Sequence, residues 1–114
     1  MADYTVYFNG EWMPFSQVKI NPMDRGFMLG DVVFEVARTF NGKIFRLEEH
    51  IDRLYRSLKY TRIAPGLSAE EMLDISEHVV NINEHLRAEV GDYTIWQFVT
   101  RGPGRWTRSA GPPS

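Results

Sequence analysis

The sequence predicts an α+β fold, an antiparallel or mixed sheet of hairpin strands packed with two helices. Three observations carry this expectation. Asn-Gly dipeptides at 9–10 and 41–42 each sit between apolar, β-branched or aromatic runs, where both turn residues can take positive φ. Two stretches, one from Leu47 and one from Ser68, repeat apolar residues at helical spacing. A dense β-branched and aromatic run, "YTIWQFVT" at 93–100, reads as a further strand.

In chain order, Tyr4 to Phe8 is the first strand and Glu11 to Phe15 its returning partner, which Pro14 confines to an edge or ends early. "INPMDRGFMLGD" follows, and Pro22, Gly26 and Gly30 among its apolar residues indicate an ordered loop rather than a linker. "VVFEVARTF" and "KIFRL" flank the second Asn-Gly and form a second hairpin. In "LEEHIDRLYRSLKY", Leu47, Ile51, Leu54 and Leu58 make an apolar stripe, with His50, Arg53 and Ser57 forming a polar stripe along its flank. "APG" at 64–66 breaks this helix, with Gly66 as its termination signal. Ser68-Ala-Glu-Glu71 has the form of a capping box. It opens a helix running to about His85, with Met72, Ile75, Val79 and Ile82 on the apolar side. The 93–100 run is apolar on both faces, which suits a central strand.

At 114 residues, the chain is the size of one domain or part of a larger one, and 43% hydrophobic with 25% charged residues suits a soluble globular protein. The net charge of -2, with acids and bases interspersed, argues against nucleic acid or a membrane surface as the main partner. The absence of cysteine excludes disulfides, zinc-thiolate sites and thiol nucleophiles. No stretch approaches the roughly 20 apolar residues of a membrane span, and a signal pattern is absent, so a cytoplasmic protein is expected.

Arg53 is either solvated or aimed at an anion. Its neighbours His50 and Ser57, with a glycine-rich loop upstream, favour an anion, and its planar fork suits phosphate. Arg101, Arg105 and Arg108 in "RGPGRWTRSAGPPS" form either a flexible basic end or a loop that clamps a carboxylate or phosphate. The three lysines, Lys19, Lys43 and Lys59, all sit where solvent should reach them, so none reads as an amine nucleophile. His78 and His85 lie seven residues apart, which is not a ligand pair, and no metal site is supported.

The hairpin "YFNGEWMPF", the loop-strand "DRGFMLGDVVFE", the helix "EHIDRLYRS" and the strand end "FVTRG" together resemble the N-terminal small domain of class IV (fold type IV) pyridoxal-phosphate (PLP) aminotransferases. The likeness runs from about Tyr4 to Gly102. That family includes branched-chain and D-amino acid aminotransferases, (R)-selective amine transaminases and aminodeoxychorismate lyase, with the D-amino acid and amine enzymes most alike. The resemblance implies that Arg53 binds the cofactor's phosphate, with His50 and Ser57 in supporting or packing roles. Phe34 falls where an aromatic ring lines the substrate pocket; many relatives carry tyrosine there, so the pocket should be drier. Val36 and Arg38 share its face by alternation and border the substrate, Arg38 as a candidate for the α- or distal carboxylate. Trp96 points to the same pocket or packs in the core. D-amino acid enzymes carry an Arg-x-His trap after the FVTRG strand and amine transaminases a mobile arginine; this sequence lacks that histidine, leaving Arg105 or Arg108 to serve, with Arg105 as the implied substrate-side residue.

The same resemblance implies PLP as cofactor, an amino acid, amine or 2-oxo acid as small-molecule partner, ping-pong amino transfer and a homodimer whose subunits share pockets. It places the Schiff-base lysine, and the glutamate facing the pyridine nitrogen, in a larger C-terminal domain that these residues do not include. The expected division is therefore a small domain over 1–102 and an Arg/Gly/Pro-rich loop over 103–114 leading towards the missing domain. No catalytic residue is expected within the chain, and alone it should be inactive. The chain is then a fragment or a natural short protein. The alternatives are a PLP enzyme of the aminodeoxychorismate lyase type and a non-enzymatic truncated domain that binds a partner.

Overall fold

Two small antiparallel sheets and two long helices make up the α+β architecture, in a computed structural model that describes residues 3–103. Strands β1 (Thr5–Phe8) and β2 (Glu11–Pro14) form the first sheet, paired from Thr5↔Pro14 to Phe8↔Glu11. Asn9 and Gly10 turn between them at φ 49° and 87°, as a two-residue hairpin requires. The "DRGFMLG" loop contains a short helix, α1 (Arg25–Leu29), capped by the Asp24 side chain on Gly26 N. Strand β3 (Val32–Phe40) then runs through the second sheet, whose order is β4-β3-β5, with β4 (Lys43–Ile44) only two residues long.

Helix α2 (Leu47–Thr61) buries the expected stripe. Leu47, Ile51, Leu54 and Leu58 pack with Ile63 and Met72 against Val33 and Val99. Each such leucine or isoleucine contributes about 2 kcal/mol of burial. The helix ends at Thr61, before the expected stop at Gly66, because Arg62 adopts the left-handed conformation at φ 59°. Ile63 N then returns to the Leu58 carbonyl at 3.0 Å, and Arg101 donates to the Thr61 and Arg62 carbonyls. A cap assembled by a distant strand leaves no local signal.

Helix α3 (Ala69–Ile82) begins with the expected capping box, Ser68 and Glu71 exchanging both hydrogen bonds. Its buried side is Met72, Ser76 and Val80, continued by Asn83. Ile75 and Val79 are only half-buried and Ile82 is exposed, so the stripe lies one residue over from the expected one. Two polar residues account for the shift. Ser76 donates to the Met72 carbonyl and accepts from Gln97, while Asn83 brackets Thr5 with hydrogen bonds to both its N–H and its carbonyl. The turn at Asn83 also stops the helix short of His85; a 3-10 turn (Glu84–Leu86) and the one-turn helix α4 (Arg87–Val90) follow.

Strand β5 (Thr94–Thr100) corrects another expectation. It pairs with β3 from Val32↔Thr100 to Arg38↔Thr94 and stands at the edge of its sheet; the central strand is β3. Ile95 and Gln97 face the helices, whereas Thr94, Trp96 and Phe98 face outward. Its apolar character on both sides thus reflects one packed face and one bare aromatic face. No helix among the described residues is long and apolar enough to cross a membrane.

Candidate functional site

Alternation along β3 divides the residues that matter. Val33, Glu35, Ala37 and Thr39 turn towards the helices, and Phe34, Val36, Arg38 and Phe40 turn away. On the outward side Phe34 lies opposite Phe98, and Val36 opposite Trp96. Their rings form a shelf: Trp96 and Phe98 stack at 5.4 Å and 7°, and Phe34 lies 5.7 and 5.6 Å from them. All three rings are at least half exposed, an unusual state for aromatics of a packed strand. Trp96 therefore belongs to this shelf and not to the core. The Arg38 guanidinium lies 5.0 Å from the centre of the Phe40 ring, on the same face.

On the helix side, Glu35 enters the junction of β3 and α2. Its two oxygens accept from Arg53 Nε and Nη2, each at 2.8 Å, a two-pronged side-on pair. His50 Nδ1 lies 2.8 Å from Oε1 of the same carboxylate. A carboxylate can only accept there, so the proton sits on Nδ1, and the 3.3 Å approach of Arg53 Nη2 to that nitrogen is proximity rather than a hydrogen bond. Arg53 holds the Glu35 carboxyl below its ordinary value, with His50 adding to the effect against a smaller opposing cost of burial. The Glu35 side chain is 11% exposed and that of Arg53 59%. Arg53 is thus anchored at its Nε–Nη2 edge, while Nη1 makes no hydrogen bond among the described residues and more than half of the side chain is exposed.

The expected residues therefore fall into two groups on opposite faces of β3: Phe34, Val36 and Arg38 on one, Arg53 on the other. They join through consecutive positions, since Phe34 precedes the residue that holds Arg53. Ser57 makes no side-chain hydrogen bond to this group among the described residues. Arg105 and Arg108 lie outside the described residues. Arg101 is described, and it is occupied internally: it pairs with Asp31 at 2.7 Å and closes the end of α2. The reading of Arg101 as a clamp for an external anion is overturned by that geometry.

Glu35 was absent from the expected set. A charged residue at an inward position between Val33 and Ala37 needs a partner, and that need was its only signal. The glycine-rich loop is fixed by Asp24, which accepts from Gly26 N and from Thr100 Oγ1. A Cβ at Gly26 would come within 2.4 Å of Thr100 Cγ2, so the loop's close seating on β5 requires glycine there. Elsewhere, a groove of about 420 Å³ opens between β4, α2 and α3. Its lining includes Glu48, Glu49 and Glu77, which suits neither phosphate nor carboxylate.

A small α+β domain thus carries a guanidinium anchored at its Nε–Nη2 edge on the helix side of β3 and a bare aromatic shelf on the opposite face. The chain belongs to the class IV aminotransferase family: the model of that family, described as amino-transferase class IV, matches residues 32–114. It is 40% identical over 99 residues to a putative branched-chain-amino-acid aminotransferase of Methanocaldococcus jannaschii, covering 87% of this chain and 33% of that one. It is 38% identical over 97 residues to a D-alanine aminotransferase of Bacillus licheniformis, covering 85% and 32%. The fold matches the branched-chain aminotransferase of Thermoproteus uzoniensis, solved with norvaline, at a TM-score of 0.71, with 23% identity, over 96% of this chain and 37% of that one. The chain spans about a third of the length of these relatives, matching their N-terminal portion.

Proposed function

We propose that this chain is the small domain of a PLP-dependent aminotransferase that moves an amino group between an amino acid or amine and a 2-oxo acid. The observation that carries the reading is the open, two-pronged edge of Arg53 in a chain of this family. A phosphate ester needs a donor that stays charged at any working pH, and a guanidinium satisfies that need. The pairing with Glu35 raises the Arg53 pKa further above its ordinary value. The residues present thus fit the phosphate end of PLP.

When bound, PLP supplies an electron sink for bond breaking at the substrate's α-carbon. This chain's residues do other work. Arg53 holds the phosphate; Phe34 and Val36, with Trp96 beside them, exclude water from one side of the substrate; Arg38 receives a substrate carboxylate. Arg105 closes the substrate side, and the loop over 103–114 leads towards the larger domain of the family. Lys19, Lys43 and Lys59 are exposed, and the family resemblance assigns the cofactor-bearing lysine to the larger domain of such enzymes. A homodimer is part of the same reading, supported by the bare aromatic shelf.

The test is to express the protein as its gene encodes it, add PLP, and assay amino transfer to a 2-oxo acid from a panel of D-amino acids, branched-chain amino acids and amines. A visible-range chromophore with transfer is expected. A chromophore without transfer would move the reading to the lyase branch, and no chromophore would overturn it.

A further inference from the structure

We propose that Glu35 is a positioning residue for the cofactor's phosphate, turning the free edge of Arg53 outward by gripping the other edge. This rests on the reading of Arg53 as the phosphate's donor. A guanidinium has two two-pronged edges. Glu35 takes the side-on edge, Nε and Nη2, at 2.8 Å each, and leaves the end-on edge for a second anion. A free arginine side chain samples many rotamers, and fixing it before the ligand arrives removes that entropic cost from binding.

Two features favour positioning over plain structural support. The pair is lopsided: Glu35 is nearly buried, whereas Arg53 is more than half exposed. Such a pair adds little to stability, and an apolar residue at an inward strand position would pack as well or better. In addition, His50 grips the same carboxylate oxygen that Arg53 Nη2 uses. That third contact fixes the carboxylate itself, so the orientation passes from helix to carboxylate to guanidinium. The negative charge of Glu35 opposes an arriving dianion at longer range, so orientation must outweigh repulsion.

The experiment compares dissociation constants for PLP and for pyridoxal, which lacks the phosphate, in the protein as its gene encodes it. Glu35→Gln keeps the shape but removes one acceptor and the charge. It should cut the preference for PLP over pyridoxal by about tenfold, the lower end of what losing a supporting residue costs a bound ligand, with pyridoxal affinity unchanged. Glu35→Asp, which keeps the charge on a shorter stem, should recover part of the preference and covers the case in which the glutamine variant does not fold. In an Arg53→Ala background, Glu35→Gln should have no further effect on the ratio. An equal loss for both ligands, or tighter PLP binding in Glu35→Gln, overturns the proposal. If Arg53→Ala itself leaves the ratio unchanged, the assignment of Arg53 fails; if only the Glu35 variants leave it unchanged, positioning alone fails.

Discussion

Asn83 does at one position what a short strand would otherwise do. Its side-chain amide accepts from Thr5 N–H and donates to the Thr5 carbonyl, tying the first hairpin to the end of α3, and also donates to the Val79 carbonyl. Asn83 is 4% exposed and Thr5 half-buried, so Asn83→Ala removes the partners of both Thr5 backbone groups and the buried amide that joins them. We expect a loss of about 2–4 kcal/mol in urea unfolding, seen as a lower midpoint at constant m-value. A change below about 0.5 kcal/mol would place Asn83 among ordinary surface residues and contradict this role. Neither Asn83 nor Glu35 was legible as a key residue. In "VVNINEHL" an asparagine reads as part of a helix's solvent face, and in "VVFEVA" a glutamate reads as a break in alternation. Both gain their importance from partners far off in the chain, Thr5 in one case and Arg53 in the other.

Two carboxylates that the fold keeps ionised link elements to one another, each adding a modest, pH-dependent contribution. Glu35 joins β3 to α2, and Arg53 lowers its pKa from an ordinary 4.5. Asp92 joins the start of β5 to the β3–β4 turn, where the Gly42 N–H and the Thr39 hydroxyl lower its pKa from an ordinary 3.8. In both cases the folded state binds fewer protons than the unfolded one as pH falls past these ordinary values. The stabilisation is therefore full above about pH 4.5 and is lost as pH drops through the folded-state values. The thermal midpoint should decline below pH 4.5, less steeply in Glu35→Gln. Equal pH dependence in the two proteins would show that the β3–α2 contact does not titrate as described. At this scale the sequence was most informative where a pattern repeats locally: both Asn-Gly turns, the α2 stripe and the Ser68 cap. It misled where an element's end or face depends on tertiary contacts. The left-handed cap at Arg62, the inward Ser76 and the edge position of β5 are of that kind.

For the whole molecule, the salient feature is an outward sheet face of Phe34, Trp96 and Phe98 that the described residues leave uncovered. The chain spans about a third of the length of the relatives it matches. The predicted site divides in two. The residues proposed for the substrate side, Phe34, Val36 and Arg38, lie on the bare face, and Arg53, proposed for the phosphate, lies across the strand at the flank of α2. Residue types alone could suggest each group, but only the fold shows that β3 separates them. The group that meets Arg53 opposite its Glu35-bound edge decides whether it is a phosphate donor. A crystal structure of the gene-encoded protein with PLP bound would answer this directly. The phosphate oxygens should lie within about 3 Å of Arg53 Nη1 and Nη2, with Glu35 still on Nε. A phosphate held elsewhere, with the Arg53 edge facing only water, would contradict the account.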